Sequence, residues 1–215
     1  LLRKQGYRVV RKGKSVSAER GYLRETGNLV FHFSLIGVLI AVGVGGGTSF
    51  SGQRVLVEGE TFVNNLASYD SLSPGTFFNE QMLVPFSVSL DKFEVDFDLK
   101  NRTNVGTPLD FRAYVSSQLS PDDAPQKGLI RVNEPLAMPG ANLYLTGNGY
   151  APHITIRDVD GNVTYAGATP FLPQSSTYTS LGVLKVPDAE QQFGIVSFFY
   201  PTVDTLTTGA LTSIY

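Results

Sequence analysis

The sequence predicts a membrane protein with one transmembrane α-helix followed by a β-rich extracytoplasmic domain of antiparallel sandwich or barrel-like build. Three observations carry this expectation. Residues 26–53 contain no Asp, Glu, Lys or Arg. Basic side chains crowd the segment before them. Beyond them, apolar residues recur at every second position between closely spaced Gly, Pro, Asn and Asp, the pattern of half-buried strands joined by turns.

Residues 29–50 read LVFHFSLIGVLIAVGVGGGTSF. As a helix rising about 1.5 Å per residue this stretch is roughly 33 Å long, and a bilayer's hydrocarbon core is about 30 Å thick. A core helix of a soluble protein usually keeps a polar side, whereas this one offers only His32, Ser34 and a glycine-rich exit. The long basic region ahead of it, and the lack of a small-residue cleavage pattern, argue against a cleaved signal peptide.

Charge sets the orientation. Residues 1–28 carry eight basic side chains (Arg3, Lys4, Arg8, Arg11, Lys12, Lys14, Arg20, Arg24) against Glu19 and Glu25, while the remainder carries nine basic and seventeen acidic residues. Cytoplasmic flanks hold the excess of Lys and Arg. Residues 1–28 are therefore expected as a basic cytoplasmic segment, 29–50 as the span of the cytoplasmic membrane, and 51–215 as the extracytoplasmic domain. The same basic segment taken alone reads as a nucleic-acid arm. Its place against the span favours a topogenic role with added attraction to anionic membrane lipid, and no nucleic-acid partner is expected. The chain has no cysteine, so the exported domain has no disulfides, although its compartment permits them. Leu1-Leu2 without an initiator Met, and the apolar end Ile214-Tyr215, suggest the middle of a longer, multi-span protein.

Ser17-Ala18-Glu19-Arg20-Gly21-Tyr22 reads as a helix start with Ser15 or Ser17 as cap, leading into the span through Gly27-Asn28. Strands are expected at 54–58, 86–90, 93–99, 109–115, 129–132, 142–146, 154–157, 163–166, 182–186 and 194–200, with a short helix in 61–71. The segments 154–157 and 163–165 flank Asp160-Gly161 and read as a hairpin.

Little in the chain supports an enzyme. It has two histidines, His32 and His153, no G-x-S-x-G elbow and no visible nucleophile–base–orienter set, which disfavours a membrane-tethered hydrolase. Gly43-Val44-Gly45-Gly46-Gly47-Thr48 lacks the lysine of a phosphate-binding loop and reads as small residues for helix packing and exit from the bilayer. Asp158-Val159-Asp160-Gly161 lacks the remaining ligands of a calcium loop and reads as a hairpin turn. Asn101-Arg102-Thr103 and Asn162-Val163-Thr164 match the glycosylation pattern, which is common by chance.

His32 stands apart. It lies about three residues past the cytoplasmic end of the span, roughly 4–5 Å deep by helical rise. Ionisable groups at such depth point to function, and imidazole is a frequent metal and haem ligand. A histidine hydrogen-bonded to a neighbouring helix fits equally well, and residue type and depth leave both readings open. Gly37, Ala41 and Gly45 align on one helix face near Ser34, a pattern that lets a second helix approach closely. Leu29, Ile36, Leu39 and Gly43 share the side of His32. A helix with both faces specialised belongs in a bundle, with further spans or a membrane partner.

Ser17-Ala18-Glu19-Arg20-Gly21-Tyr22-Leu23-Arg24-Glu25, followed by Gly27-Asn28-Leu29-Val30-Phe31-His32-Phe33-Ser34-Leu35, resembles the approach to a membrane helix of ResB. ResB is the System II cytochrome c biogenesis protein, related to the chloroplast Ccs proteins. The likeness continues through Gly52-Gln53-Arg54-Val55-Leu56-Val57-Glu58-Gly59-Glu60, Ser68-Tyr69-Asp70, Gly106-Thr107-Pro108-Leu109-Asp110-Phe111, Ile130-Arg131-Val132-Asn133-Glu134-Pro135-Leu136, Tyr144-Leu145, Gly149-Tyr150-Ala151-Pro152, Pro170-Phe171-Leu172-Pro173 and Leu211-Thr212-Ser213. It covers nearly the whole chain in order and is nearest the actinobacterial branch.

The resemblance implies a non-catalytic subunit that works with a ResC/CcsA-type membrane partner, moves haem outward and presents it to the reduced CxxCH motif of apocytochrome c. It also implies that His32 is the haem-iron ligand contributed by the ResB side. His153 has no counterpart and reads as a surface strand residue. Without cysteine the chain cannot itself reduce apocytochrome thiols. The Trp-rich haem-handling motif belongs to the partner family, and this chain has no Trp. A membrane-anchored extracytoplasmic binding or structural module without haem is the alternative from another class.

The charge asymmetry makes a topological prediction. Protease added outside intact cells or spheroplasts cuts within residues 51–215 and spares residues 1–28. Protection of the acidic domain would reverse the orientation.

Overall fold

A computed structural model describes residues 2–98, 100, 106–187 and 192–213, with side chains for all of these but Tyr22, Leu23 and Arg24. Leu1, Leu99 of the expected strand 93–99, the glycosylation match Asn101-Arg102-Thr103, and Ile214-Tyr215 lie outside the described residues. Two compact units form, Leu1–Ser51 with Ser73–Phe78, and Gly52–Leu72 with Asn79–Tyr215.

The first unit opens with a 3-10 turn, Leu2–Gln5, and an antiparallel hairpin of β1 (Arg8–Lys12) and β2 (Ser15–Glu19), paired from Arg8↔Glu19 to Lys12↔Ser15. The helix start expected with Ser15 or Ser17 as cap is therefore a strand. Gly13 has φ 57° as the first of the two turn residues, where a tight hairpin turn needs a positive φ and favours glycine. Val9, Val10 and Val16 suit a pleated ribbon. The helix begins only after Gly21, whose left-handed φ 96° and ψ 33° come without the steric cost that a Cβ would bring.

Helix α1 then runs Tyr22–Thr48, 27 residues and about 40 Å. It passes straight through Gly27 and Asn28 and stops before Phe50, so it is shifted from the expected 29–50. Its segment Glu25–Thr48 is long and apolar enough to cross a membrane, and its most apolar stretch has no buried residue. Segment 75–78 returns to its C-terminal end. The Gly75 N–H donates to the Ser49 carbonyl (2.8 Å) and the Phe77 N–H to the Gly47 carbonyl (2.7 Å), which satisfies groups a helix end leaves open. A Cβ on Gly47 would meet the Phe77 ring at 2.5 Å, and one on Gly75 would strike the carbonyl oxygens of Gly46 and Gly47. That close approach accounts for glycine at this exit.

The strands β3 (Phe50–Gln53), β4 (Thr61–Val63) and β5 (Ser71–Pro74) follow, and β3 pairs with β5. Two expectations fail here. Residues 54–58 form no strand, because their backbone donors go to carboxylates: the Val55 N–H to Asp70 (2.7 Å) and the Val57 N–H to Glu60 (3.1 Å). Residues 61–71 hold β4 and a single 3-10 turn, Leu66–Ser68, capped by the Asn65 side chain, which accepts from the Ser68 N–H.

The core of the second unit is a four-stranded antiparallel sheet in the order β4-β6-β7-β8, with β6 Ser87–Phe97, β7 Pro108–Gln118 and β8 Gln126–Arg131. The expected strands 86–90 and 93–99 are one strand with a register shift between Leu90 and Lys92. One extra residue at Asp91 resets the period-two phase. Val88 and Leu90 before the bulge, and Phe93 and Val95 after it, thus share a face opposite Ala113, Val115 and Phe111. Phe62, Phe86, Val88, Leu90, Ala113, Val115 and Ile130 form the buried cluster. The bulge is held by the loop before β4, where the Glu58 carboxylate accepts from the Phe93 N–H (2.6 Å) and the Gly59 N–H donates to the Leu90 carbonyl (2.7 Å). Buried Asn64 donates to the Val84 carbonyl and accepts from the Tyr69 hydroxyl.

A hairpin of β9 (Leu136–Met138) and β10 (Ala141–Leu143) packs its apolar residues on this cluster; β10 is the shortened form of expected 142–146. Next come the hairpin β11 (His153–Arg157) and β12 (Val163–Ala168), a three-stranded sheet of β13 (Phe171–Pro173), β14 (Ser180–Val186) and β15 (Phe193–Phe199), and the pair β16 (Val203–Thr205) and β17 (Leu211–Ser213). Gly182 lets the Phe171 ring lie against the backbone of β14, where a Cβ would stand 2.7 Å from it. The β-rich antiparallel class is as expected. Among the described residues its strands are spread over one four-stranded sheet, one three-stranded sheet and several two-stranded pairs.

The outer face of the four-stranded sheet is ionic. Asp96 lies directly opposite Asp110 in the ladder, a like-charge pairing that is destabilising alone. Arg112 bridges the two at 2.7 and 2.6 Å and also reaches Glu94 at 3.3 Å. Arg131 adds a second cation to Asp110 at 2.9 Å. Arg131, followed by Arg112, holds the Asp110 carboxyl below its ordinary value; Arg112 does so for Asp96, and Lys92 for Glu94.

Two predictions follow from this unit. Phe86→Ala removes a ring at the centre of the cluster and costs about 3–5 kcal/mol, read as a lowered denaturant midpoint. The second concerns acid. Carboxylates whose folded pKa is lowered contribute stability above their ordinary values of 3.8 and 4.5 and lose it as the pH falls through the folded values. Thermal melts should therefore show Arg112→Gln less stable at neutral pH, with the gap to the native chain closing below about pH 4. A gap that is constant with pH would refute the ionic role.

Candidate functional site

His32 lies on α1, ten residues into the helix. Its Nδ1 is 2.8 Å from the Asn28 carbonyl oxygen, one turn back. A carbonyl only accepts, so Nδ1 is the donor in this bond, and in the neutral tautomer that makes it the lone pair lies on Nε2. Metal-binding histidines are commonly oriented in this way, by a backbone carbonyl on the ring nitrogen that does not ligate. Phe31 stands edge-on to the imidazole, with ring centroids 5.5 Å apart and planes at 90°. Leu29, Ile36 and Leu39 on the same side are exposed, and Gly43 is open above its Cα. A flat apolar group bound through Nε2 would find aliphatic side chains from Leu29 to Leu39 along this face, with Glu25, two turns before His32, as its charged end.

Two further polar side chains of α1 bond within the helix as well. Ser34 donates to the Val30 carbonyl (2.8 Å) and Thr48 to the Val44 carbonyl (3.0 Å). Such back-bonding suits a helix in a medium without water. At His32 it spends Nδ1 locally and leaves Nε2 for a ligand or for a neighbouring helix. Gly37 and Gly45 have open space where a Cβ would stand, and Ala41 between them is exposed.

The remaining sequence candidates divide cleanly. His153 is exposed on β11, where the second unit has a half-open cleft of about 330 Å³ lined by Leu56, Glu58, Phe93, Tyr150, His153 and Phe171 among others. Burial pushes the Tyr150 phenol up. Asp158 closes the β11–β12 turn by accepting from the backbone of Asp160 and Asn162 and from the Asn162 side chain. Asn162, the second glycosylation match, is thus engaged in the turn. Among the described residues no group of three or more His, Asp and Glu is placed to hold a metal ion. The two histidines belong to different units. Sequence reasoning missed the role of Asn28 because its backbone carbonyl acts, and only helical register through Gly27 could have signalled it. The cleft was missed because its lining comes from four separated stretches.

A model of the ResB-like family matches residues 1–215. The chain belongs to the ResB-like family. Cytochrome c biogenesis protein CcsB of Thermosynechococcus vestitus is 27% identical over 151 residues, covering 70% of this chain and 31% of the relative. The CcsB of Microcystis aeruginosa is 25% identical over 155 residues, covering 70% and 32%, and that of a Synechococcus species 31% over 144 residues, covering 66% and 28%. The ResB-like chain thus matches about a third of the length of these curated relatives. No solved structure matches it. Its family is one of cytochrome c biogenesis proteins.

Proposed function

We propose that this ResB-like chain is a haem-delivery and scaffold part of a System II cytochrome c assembly complex. It works with a ResC/CcsA-type partner in the cytoplasmic membrane and is not itself catalytic. Haem is the cargo, and apocytochrome c receives it. Helix α1 crosses the bilayer with residues 1–28 on the cytoplasmic side and the β-rich unit outside. The observation that supports the reading is the His32–Asn28 bond, which leaves Nε2 available to iron on a helix face that is apolar from Leu29 onward, near the cytoplasmic end. One histidine fills one axial position, so the second ligand comes from the partner or from another span. The open strip of Gly37, Ala41 and Gly45 supports close contact with a second helix.

The test is His32→Ala in the complete complex with its partner. Haem retention falls at least about tenfold, the scale on which even a supporting partner of a metal ligand acts, and cytochrome c maturation falls with it. The protein stays inserted, and added imidazole partly restores both readouts. Full haem occupancy with an unchanged axial-ligand spectrum would make His32 a packing residue.

A further inference from the structure

We propose that the β1–β2 hairpin is an anionic-lipid clamp that lies on the phosphate headgroups of the leaflet where α1 enters the bilayer. The proposal rests on the reading of α1 as a span. The hairpin is a built element with two properties. Arg8, Arg11, Lys12 and Lys14 line five paired residues and their turn, with Arg3 and Lys4 just before and Arg20 just after. Among the described residues, none of the ion pairs found includes Lys4, Arg11, Lys12 or Lys14. The ribbon also leaves an apolar side chain uncovered on each face, Val10 at 45% exposure beside Arg8 and Lys12, and Val16 at 54% beside Arg11. A lone two-stranded hairpin is marginal in water. A surface offering phosphates beside an apolar boundary satisfies both properties.

Geometry brings that surface within reach. The hairpin ends at Glu19 and α1 begins at Tyr22. From Tyr22 to the first residues of the apolar run is about 10 Å of helix, and the headgroup layer is roughly 5–8 Å thick. The base of the hairpin therefore lies just outside the headgroup layer, within about one Debye length of it, near 8 Å in physiological salt. Arg20 is steadied there, its guanidinium 5.6 Å from the Tyr7 ring centre. Each basic side chain near an anionic surface strengthens binding about fivefold.

The test uses the whole chain reconstituted in vesicles of pure phosphatidylcholine, or of phosphatidylcholine mixed with phosphatidylglycerol. The chain has no cysteine, so Ser17→Cys carries a single environment-sensitive dye on β2. Acrylamide quenching should fall severalfold in the phosphatidylglycerol vesicles. The protection should disappear at about 1 M salt, where the Debye length is near 3 Å. The variant Arg11→Gln, Lys12→Gln, Lys14→Gln should lose it too, its docked-to-free ratio reduced on the order of a hundredfold. Equal quenching in both vesicles, or protection retained by the triple variant, overturns the proposal. Protection by poly(U) in pure phosphatidylcholine, with none from phosphatidylglycerol, overturns it in favour of nucleic acid. Resistance to alkaline extraction reports on α1 alone. Loss of docking with insertion intact therefore sinks the hairpin proposal and leaves the span reading standing, while extraction of the chain sinks both.

Discussion

The phase of the β6–β7 ladder is the constraint on which the β-rich unit depends. A strand of strict period two cannot place Leu90 and Phe93 on one face, because they are an odd number of residues apart. The bulge at Asp91 supplies the missing step. It is stable because the loop before β4 takes up the groups it frees, through Glu58 and Gly59. With that phase set, Leu90, Phe93 and Val95 meet Val115, Ala113 and Phe111 of β7, and Glu94 and Asp96 gather at Arg112. Core and ionic face are two consequences of one register. Arg112 is the cation that makes the Asp96–Asp110 opposition tolerable, so the outer face is held by charge while the inner face is held by area.

The same reasoning shows how far the residues themselves foretold the fold. Alternation in 86–97, in 109–115 and around Asp160-Gly161 was legible because one face is wet and one is dry. The break at Asp91 was visible as two separate runs, but not as one bent strand, since the groups that hold the bulge lie more than thirty residues away at Glu58. Residues 54–58 read as a strand through the run Val55-Leu56-Val57, yet the Val55 and Val57 N–H groups end on Asp70 and Glu60. Periodicity reports which side chains are buried, and it is blind to where the backbone donors go. At the other end of the chain, Ser17 and Glu19 mimicked a helix start, while the left-handed Gly13 and Gly21 made a hairpin and delayed the helix.

For the candidate site, the residue was legible and its chemistry was not. A lone histidine in an apolar run stands out in any reading. Which nitrogen is open to a ligand or a neighbour turns on where the other is bonded, and a main-chain carbonyl engages Nδ1. Asn28 acts through its position one turn before His32, so only the helix's passage through Gly27-Asn28 makes the arrangement possible.

Helix α1 can also be considered as a whole. Its serine, threonine and histidine hydrogens are turned inward to its own carbonyls, its glycine exit is closed by the returning segment 75–78, and its charges stop at Glu25. A helix so thoroughly satisfied has little polar capacity left to specify neighbours in an apolar medium. What it retains is the bare strip of Gly37, Ala41 and Gly45, which recognises shape, and one nitrogen lone pair, which recognises an electrophile. These occupy opposite sides, so a close-packed helix and an apolar ligand can both be accommodated at once. In the proposed complex that division lets the chain hold a partner through its small residues while His32 remains free to engage the haem.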